Sequence, residues 1–310
     1  MAGSKERSVI GVFLRFVMVT GIVGVSPVAA ETPASPWTIV TGPPGPVVES
    51  SGLTVDRRPA AGVPPGASPA EPDLWTHNDS GDSPSLYRIN RRGEVLQTVE
   101  LTNIAAKDFE DIAGVQIGQQ PYLLIADVGD NGVRRPEVKL HLLPTPSPQE
   151  IVAEVTATIV VRYPGGPRDC EAVAYDPVGK KIVLVTKTKF PWCGVYTVDL
   201  PPIEDLQDIN GDADRPIAAT ATLIRNLGLP FVTAMDIDPA GGNVMLVNYF
   251  QIFEFTGSPG QPATETLGGR PRAIATPKLR QIEAGCYDID GRMIVTSEGD
   301  PFRMAINEGF

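Results

Sequence analysis

A short acid-led phrase recurs along the chain and limits its fold more than any other feature. It reads Glu110-Asp111-Ile112-Ala113, Glu171-Ala172-Val173-Ala174 and Glu283-Ala284-Gly285-Cys286, with a degenerate copy at Thr233-Ala234-Met235-Asp236. The stretch "SSGLTVD" (50–56) fits the same frame at Ser51. The intervals between aligned residues are 59, 61, 62 and 50. Asp56, Asp176, Asp238 and Asp288 each follow the aligned residue by five positions. Self-similarity at this period, built from short strands, predicts a closed array of repeated sheets rather than a doubly wound sheet.

Each interval holds four strand-like runs. The third reads "EAVAYD" (171–176), "KIVLVT" (181–186), "GVYTVD" (194–199) and "ATATLI" (219–224). Such runs are β-branched or aromatic, short, and separated by Pro, Gly, Asn and Asp. Four-stranded sheets in series describe an all-β fold, a β-propeller. The last repeat stops one strand short, while "WTIVTG" (37–42) lies spare ahead of the first repeat. That strand can complete the last sheet and remove two aggregation-prone edges. The reading is five four-stranded blades closed by an N-terminal strand, in a single domain over 31–310. Six blades and a two-sheet sandwich are the competing architectures.

Residues 1–30 have the form of a signal peptide. Lys5, Arg7 and Arg15 precede the apolar run Phe16 to Val25, and Val28-Ala29-Ala30 supplies a small-residue cleavage pattern. Ten residues are too few to cross a bilayer, and Arg15 would interrupt a longer span. The expectation is a secreted, extracellular protein without a stable membrane anchor. Removing a leader of net charge +2 takes the chain from −11 to −13. That balance argues against nucleic acid, whose phosphates need Lys/Arg patches. It suits a monomer that takes a small molecule, an extracellular protein partner or a cation.

The first strand of each blade lines the central channel of a propeller, so the repeated acids face one shared site. The loops after the second strands return to the same face: "HNDSGDSP" (77–84), "DVGDNGVRR" (127–135), "TKTKFPWC" (186–193), "NYFQ" (248–251) and "SEGDPFR" (297–303). The opposite turns, such as "DPVGKK" (176–181), are ordinary tight turns. Glu110, Glu171 and Glu283 converge on the polar face, backed by Asp108 and Asp169. Crowded carboxylates must protonate, pair with a cation or bind metal. Glu110, Glu171, Glu283 and Asn248 form a candidate oxygen-ligand set for Ca²⁺ or Mg²⁺. The competing reading is internal pairing with Arg168, Lys187, Lys189 or Arg303. His77, Asn78, Asp79, Asp82, Asp127, Asp130, Asn131, Lys187 and Glu298 are candidate ligand-binding residues around it.

His77, Asp79 and Ser80 are the residue types of a hydrolase triad, but they crowd into four positions, whereas a triad needs separately supported groups. An Asx-rich turn is the simpler reading. "DINGDAD" (208–214) has the composition of a calcium loop without its terminal Glu, and reads as a solvated acidic loop. Of the three cysteines, Cys170 and Cys193 fall at one end of the same blade and are expected to form a disulfide. Cys286 is expected to pack between blades.

The segments "WTHNDSGDSPSLYRINRRGEV" (75–95), "DFEDIAG" (108–114), "ADVGDNGVRRPEVKLHLLP" (126–144) and "DCEAVAYDP" (169–177) resemble a group of secreted bacterial β-propeller proteins of unassigned activity. More distantly, the arrangement is similar to gluconolactonase/regucalcin-like and phytase-like propellers. The former resemblance implies a divalent cation at the channel mouth, with Glu110, Glu171, Glu283 and Asn248 in the ligand positions. The latter implies calcium-held phosphate, for which this chain lacks a dense Lys/Arg cluster. Two functions follow as expectations: cation-mediated binding of a small molecule or partner, and metal-dependent hydrolysis of a lactone or phosphoester.

Overall fold

A computed structural model describes residues 35–58, 71–79, 81, 83–202, 216–238 and 242–308. The expected leader over 1–30, Ser80, Asp82, "DINGDAD" and most of the Pro/Ala-rich insertion after the first repeat lie outside these residues.

The chain order begins with β1 (Trp37–Thr41), which pairs antiparallel with the last strand, β22 (Arg303–Asn307). The first blade is β2 (Ser50–Val55), β3 (Leu74–Asn78), β4 (Ser85–Ile89) and β5 (Val95–Leu101). The second is β6 (Phe109–Ile117), β7 (Gln120–Asp127), β8 (Val138–Pro144) and β10 (Ala157–Arg162), the short β9 (Val152–Ala153) crossing to lie parallel to β5. The third is β11 (Cys170–Asp176), β12 (Lys181–Thr186), β13 (Cys193–Asp199) and β15 (Thr222–Leu227). β14 (Ile217–Thr220) leaves it and runs parallel to β10 on the second blade. The run "ATATLI" is therefore not one strand: it divides at Ala221 between two blades.

The fourth blade is β16 (Val232–Ile237), β17 (Val244–Asn248), β18 (Ile252–Phe255) and β19 (Arg272–Ile274), with the single turn α1 (Ala263–Thr266) before β19. The fifth is β20 (Ile282–Tyr287), β21 (Met293–Ser297), β22 and β1. The protein is an all-β, five-bladed propeller of four-stranded blades, closed by its N-terminal strand as expected. Among the described residues no helix is long and apolar enough to cross a membrane.

Five apolar cores hold the ring, one at each blade–blade junction. Alternation assigns the two faces of a strand to different cores. In β12, Ile182 and Leu184 face the second blade, while Val183 and Val185 face the fourth. The remaining junctions are filled by Trp75, Phe109 and Ile125; by Leu53, Ile89 and Met304; and by Met245, Val295 and Trp37. Near the axis the first strands pack on one another, and small residues (Ala113, Ala172, Ala234, Ala284) keep that approach possible.

The same alternation overturns the expected disulfide. Cys170 belongs to the core shared with the second blade and Cys193 to the core shared with the fourth, so the sulfurs lie on opposite faces of one sheet. All three cysteines are buried free thiols. Cys170 donates through Sγ to the Val185 carbonyl at 3.4 Å. Cys286 packs between the fifth and first blades.

Closure depends on β1. Trp37 is 6 % exposed, and its indole N–H donates to the Ala275 carbonyl at 2.7 Å. Trp37→Ala should cost about 3–5 kcal/mol, read as a lowered urea midpoint. Deleting 35–41 should leave β22 as an unpaired edge and give dimers or aggregates on size-exclusion chromatography. A monomer of unchanged midpoint would show that closure is not needed.

Candidate functional site

The repeated acid marks a β-bulge. In every blade the register between first and second strands skips one residue: Gly52, Glu110, Glu171, Thr233 and Glu283. In the first blade the skipped residue is Gly52, one place after the Ser51 of the sequence frame. A bulge leaves its extra residue out of the ladder and re-aims its side chain. Here it turns three glutamates toward the loops that follow the second strands.

Inter-blade bonds fix these bulges. Ser51 Oγ donates to the Glu110 carbonyl at 3.0 Å, and Thr233 Oγ1 donates to the Ile282 carbonyl at 3.1 Å. One residue deeper, the Asp111 carboxylate accepts the Val173 N–H of the third blade at 2.8 Å. Likewise Asp236 accepts the Tyr287 N–H of the fifth at 2.7 Å.

Glu110 and Glu171 are 5 % and 2 % exposed. Burial first, and then Glu171, Asp79 and Asp108, push the Glu110 carboxyl far above the usual carboxylate range. Asp79, Asp108 and Glu110 offer ligand oxygens all within 4.8 Å of one another. Gly129, in the loop after β7, makes this possible: a Cβ there would stand 2.1 Å from Glu110 Oε1 and 2.4 Å from Asp108 Oδ2.

Glu171 forms an ion pair with Lys187, whose ammonium lies 5.0 Å from the centre of the Tyr249 ring. Burial alone would lower the Lys187 pKa, but the Glu171 carboxylate outweighs it and keeps the lysine charged. Burial raises Glu171 above its ordinary value, with Lys187 opposing. Burial also raises Glu283 to about 7, again opposed by Lys187 and reinforced by Glu298 and Asp79. Gln281 Nε2 donates to Glu283 Oε1 at 3.2 Å. One lysine thus lies within electrostatic reach of all three bulge glutamates.

The other candidate residues divide by what their polar atoms already do. Asn248 Oδ1 accepts the N–H groups of Phe250 and Gln251 at 2.9 and 2.8 Å, and its Nδ2 donates to the Pro230 carbonyl at 3.0 Å. Asn78 repeats this in the first blade, with the N–H groups of Val48 and Glu49 and the Pro46 carbonyl. Both are loop braces. Asp127 accepts the Asp108 N–H at 3.2 Å and pairs with Arg135 at 2.8 Å. Asp130 Oδ2 accepts the N–H groups of Arg134 and Arg135.

His77 is buried edge-on to Phe109 at 5.6 Å, and its Nδ1 bonds the Asn78 carbonyl at 2.9 Å. Burial pushes its pKa down, so it reads as a core histidine rather than a catalytic one. Asp79 and Glu298 lie at the mouth. Asn131 belongs to an adjoining cavity, and Asp82 is outside the described residues.

That cavity, about 460 Å³, opens beside Lys187 between the loops of the second, third and fourth blades. Phe190, Phe231 and Tyr249 supply its apolar wall, and Arg168, Lys187 and Lys189 its positive charge. The aromatic wall was missed in the sequence, although "KFPW" and "NYF" sit in loops already marked as unusual. Recognising it required knowing that these loops and Phe231, the residue before β16, turn their rings to one cavity.

No family model matches the chain, and no curated protein matches it. Among solved structures, it is similar to the PQQ-bound form of aldose sugar dehydrogenase from Streptomyces coelicolor. That match has 9% identity and a TM-score of 0.42, over 87% of this chain and 98% of that one. It is also similar to the Dos1 propeller, with 10% identity and a TM-score of 0.35, over 77% of this chain and 51% of that one. Neither likeness carries an activity across. The propeller assignment rests on the five sheets themselves.

The raised Glu283 pKa fixes a sign. Between the unfolded value near 4.3 and about 7, the folded state holds a proton that the unfolded state releases. This contribution is full below the unfolded pKa and is lost as pH rises through 7. In chelator-treated protein, Glu283→Gln should therefore flatten the fall in melting temperature between pH 5 and 8 by a few degrees. An unchanged slope would mean that Glu283 titrates normally.

Proposed function

We propose that the channel mouth is a divalent-cation site through which the propeller holds a small molecule or a protein partner. The observation that carries this reading is the meeting of Asp79 from the first blade with Asp108 and Glu110 from the second, their ligand oxygens within 4.8 Å of one another. Carboxylate oxygens suit the hard cations Ca²⁺ and Mg²⁺. Lys187 pairs directly with Glu171 and opposes the charge of Glu110 only as the last of the influences on it.

The donor set differs from the one expected in the sequence. Glu110 remains central and gains Asp108 and Asp79. Glu171 is drawn to Lys187 and Asn248 is committed to backbone groups, so neither is a direct ligand in this reading. Glu283 stands beside the site as a group that can take up or give back a proton. An exported protein, as the leader suggests, would meet its cation and its partner outside the cell.

Hydrolysis of a lactone or phosphoester is the second reading, favoured by Glu283 alone. A carboxyl with a pKa near 7 matches a general base working at neutral pH, with the cation polarising the substrate.

Chelator-treated protein titrated with Ca²⁺ and then Mg²⁺ in a calorimeter tests the site. A single saturable event is expected, together with a melting temperature that rises with ion concentration. Glu110→Gln should abolish binding. Gly129→Ala, which removes no ligand, should weaken it at least about tenfold by forcing Asp108 and Glu110 apart. Absence of heat and of any thermal shift in the unaltered protein would refute the cation reading. Turnover lost in Glu283→Gln with ion binding retained would establish the hydrolase; no turnover on either substrate class would leave a binding protein.

A further inference from the structure

Beside the acidic mouth lies a site of opposite character. Phe190 and Trp192 stack face to face, centroids 5.3 Å apart and planes 7° apart, although they are 63 % and 56 % exposed. Such exposure of large rings is costly unless something covers them. The backbone beside them is tied to Thr188, whose Oγ1 lies 2.8 and 2.7 Å from the carbonyls of Phe190 and Trp192 and donates its one hydrogen to either. Across the cavity, Phe231 has φ of 55°, a conformation that bulky side chains rarely adopt. Its N–H donates to the Thr188 carbonyl at 2.9 Å. Its ring meets Tyr249 at 5.9 Å and Phe250 at 6.1 Å. Strain of this kind, at the wall of a cavity, persists only where the surroundings enforce it.

The charges of this cavity run against those of the chain. Among the described residues neither Arg168 nor Lys189 pairs with a carboxylate. Arg168 Nη1 donates to the Pro167 carbonyl at 2.8 Å. Asp169 is the acid of the lining, and its Oδ1 is taken by the Asp130 N–H at 2.9 Å. In a protein of net charge −11, this is a local positive pocket with flat apolar walls. Its volume, about 460 Å³, falls in the range of small-molecule sites.

We propose that this cavity binds an organic anion with a flat apolar body, its anionic group held by Arg168 and Lys189 and its body laid against Phe190, Phe231 and Tyr249. The site goes beyond the cation reading and stands without it, because its charged groups are not the ligand carboxylates. Arg168 supplies a fork of donors suited to a carboxylate, and Lys189 a second positive charge. The aromatic faces select the body, and Lys187, already paired, forms the border with the acidic mouth.

Calorimetry on metal-free protein with three probes tests the proposal: indole-3-acetate, its neutral amide indole-3-acetamide, and plain acetate. Indole-3-acetate should bind at least about tenfold more tightly than the amide, and acetate should not bind at the same concentrations. Arg168→Gln combined with Lys189→Gln should erase the preference for the acid. Phe231→Asn keeps a residue tolerant of positive φ and removes the ring. It should keep its melting temperature while losing indole-3-acetate affinity about tenfold or more. Equal affinity for acid and amide, no binding of indole-3-acetate up to about 5 mM, or a preference surviving in the double variant would each overturn the proposal.

Discussion

The structure depends on one local irregularity written five times, the bulge at the start of each first strand. A five-bladed ring leaves little room at its axis, and first strands close enough to touch cannot point large side chains at one another. The bulge lets each strand stay paired with its own blade while one residue per turn steps out of the ladder. Small residues below it allow close approach, and the Ser51, Thr233, Asp111 and Asp236 side chains stitch one first strand to the next. Fold and site thus meet at Glu110, which leaves the ladder at its bulge and joins Asp79 and Asp108 at the mouth.

That construction carries an electrostatic cost. Two like charges about 4 Å apart repel by about 4 kcal/mol at an effective dielectric of 20, and the three bulge glutamates are joined by Asp79 and Asp108. Three remedies exist: a proton, an ion pair or a bound cation. The chain uses the second once, at Glu171 and Lys187. Burial favours the first at Glu110 and Glu283, whose carboxyls it pushes up. Both raised groups would return to the ionised form if a cation replaced the proton, so uptake of the ion and release of protons are two sides of one equilibrium.

Much of the fold was legible because the repeat length and the strand count are linear properties of the chain. Five blades and the closing role of 37–41 both follow from spacing. The bulge also left a trace, since an acid opened the phrase in three of the five copies and Ser51 or Thr233 in the others, though in the first blade Gly52 rather than Ser51 occupies its place. The errors have a common cause, which is that sequence shows position along a strand but not the face or partner across it. Cys170 and Cys193 share one end of a blade and still lie on opposite faces. Ala219 continues a run with Leu223 and still belongs to another blade. Nor does sequence show that the Asn248 oxygen accepts the N–H groups of Phe250 and Gln251. The aromatic wall escaped because its members come from three separate segments, the loops after β12 and β17 and the residue before β16, which only the fold brings to one cavity.

The glutamates could be thought a by-product of the bulge, a polar residue placed wherever a backbone leaves its ladder. The ring itself argues otherwise. Gly52 and Thr233 occupy the same bulge position in the first and fourth blades, and those blades close as well as the others without a charge there. Acid at the bulge is therefore not needed to form it. Nor is acid demanded by the channel's depth, where Arg57 lies near Asp236 and lowers its pKa against the effect of burial. At Asp236 Arg57 only partly offsets burial, which leaves that carboxyl raised to about 6, while among the described residues Lys187 acts on all three glutamates at the mouth. Acid at the mouth thus goes beyond what the bulge requires, and the oxygens of Asp79, Asp108 and Glu110, within 4.8 Å of one another, are those the proposed cation would join.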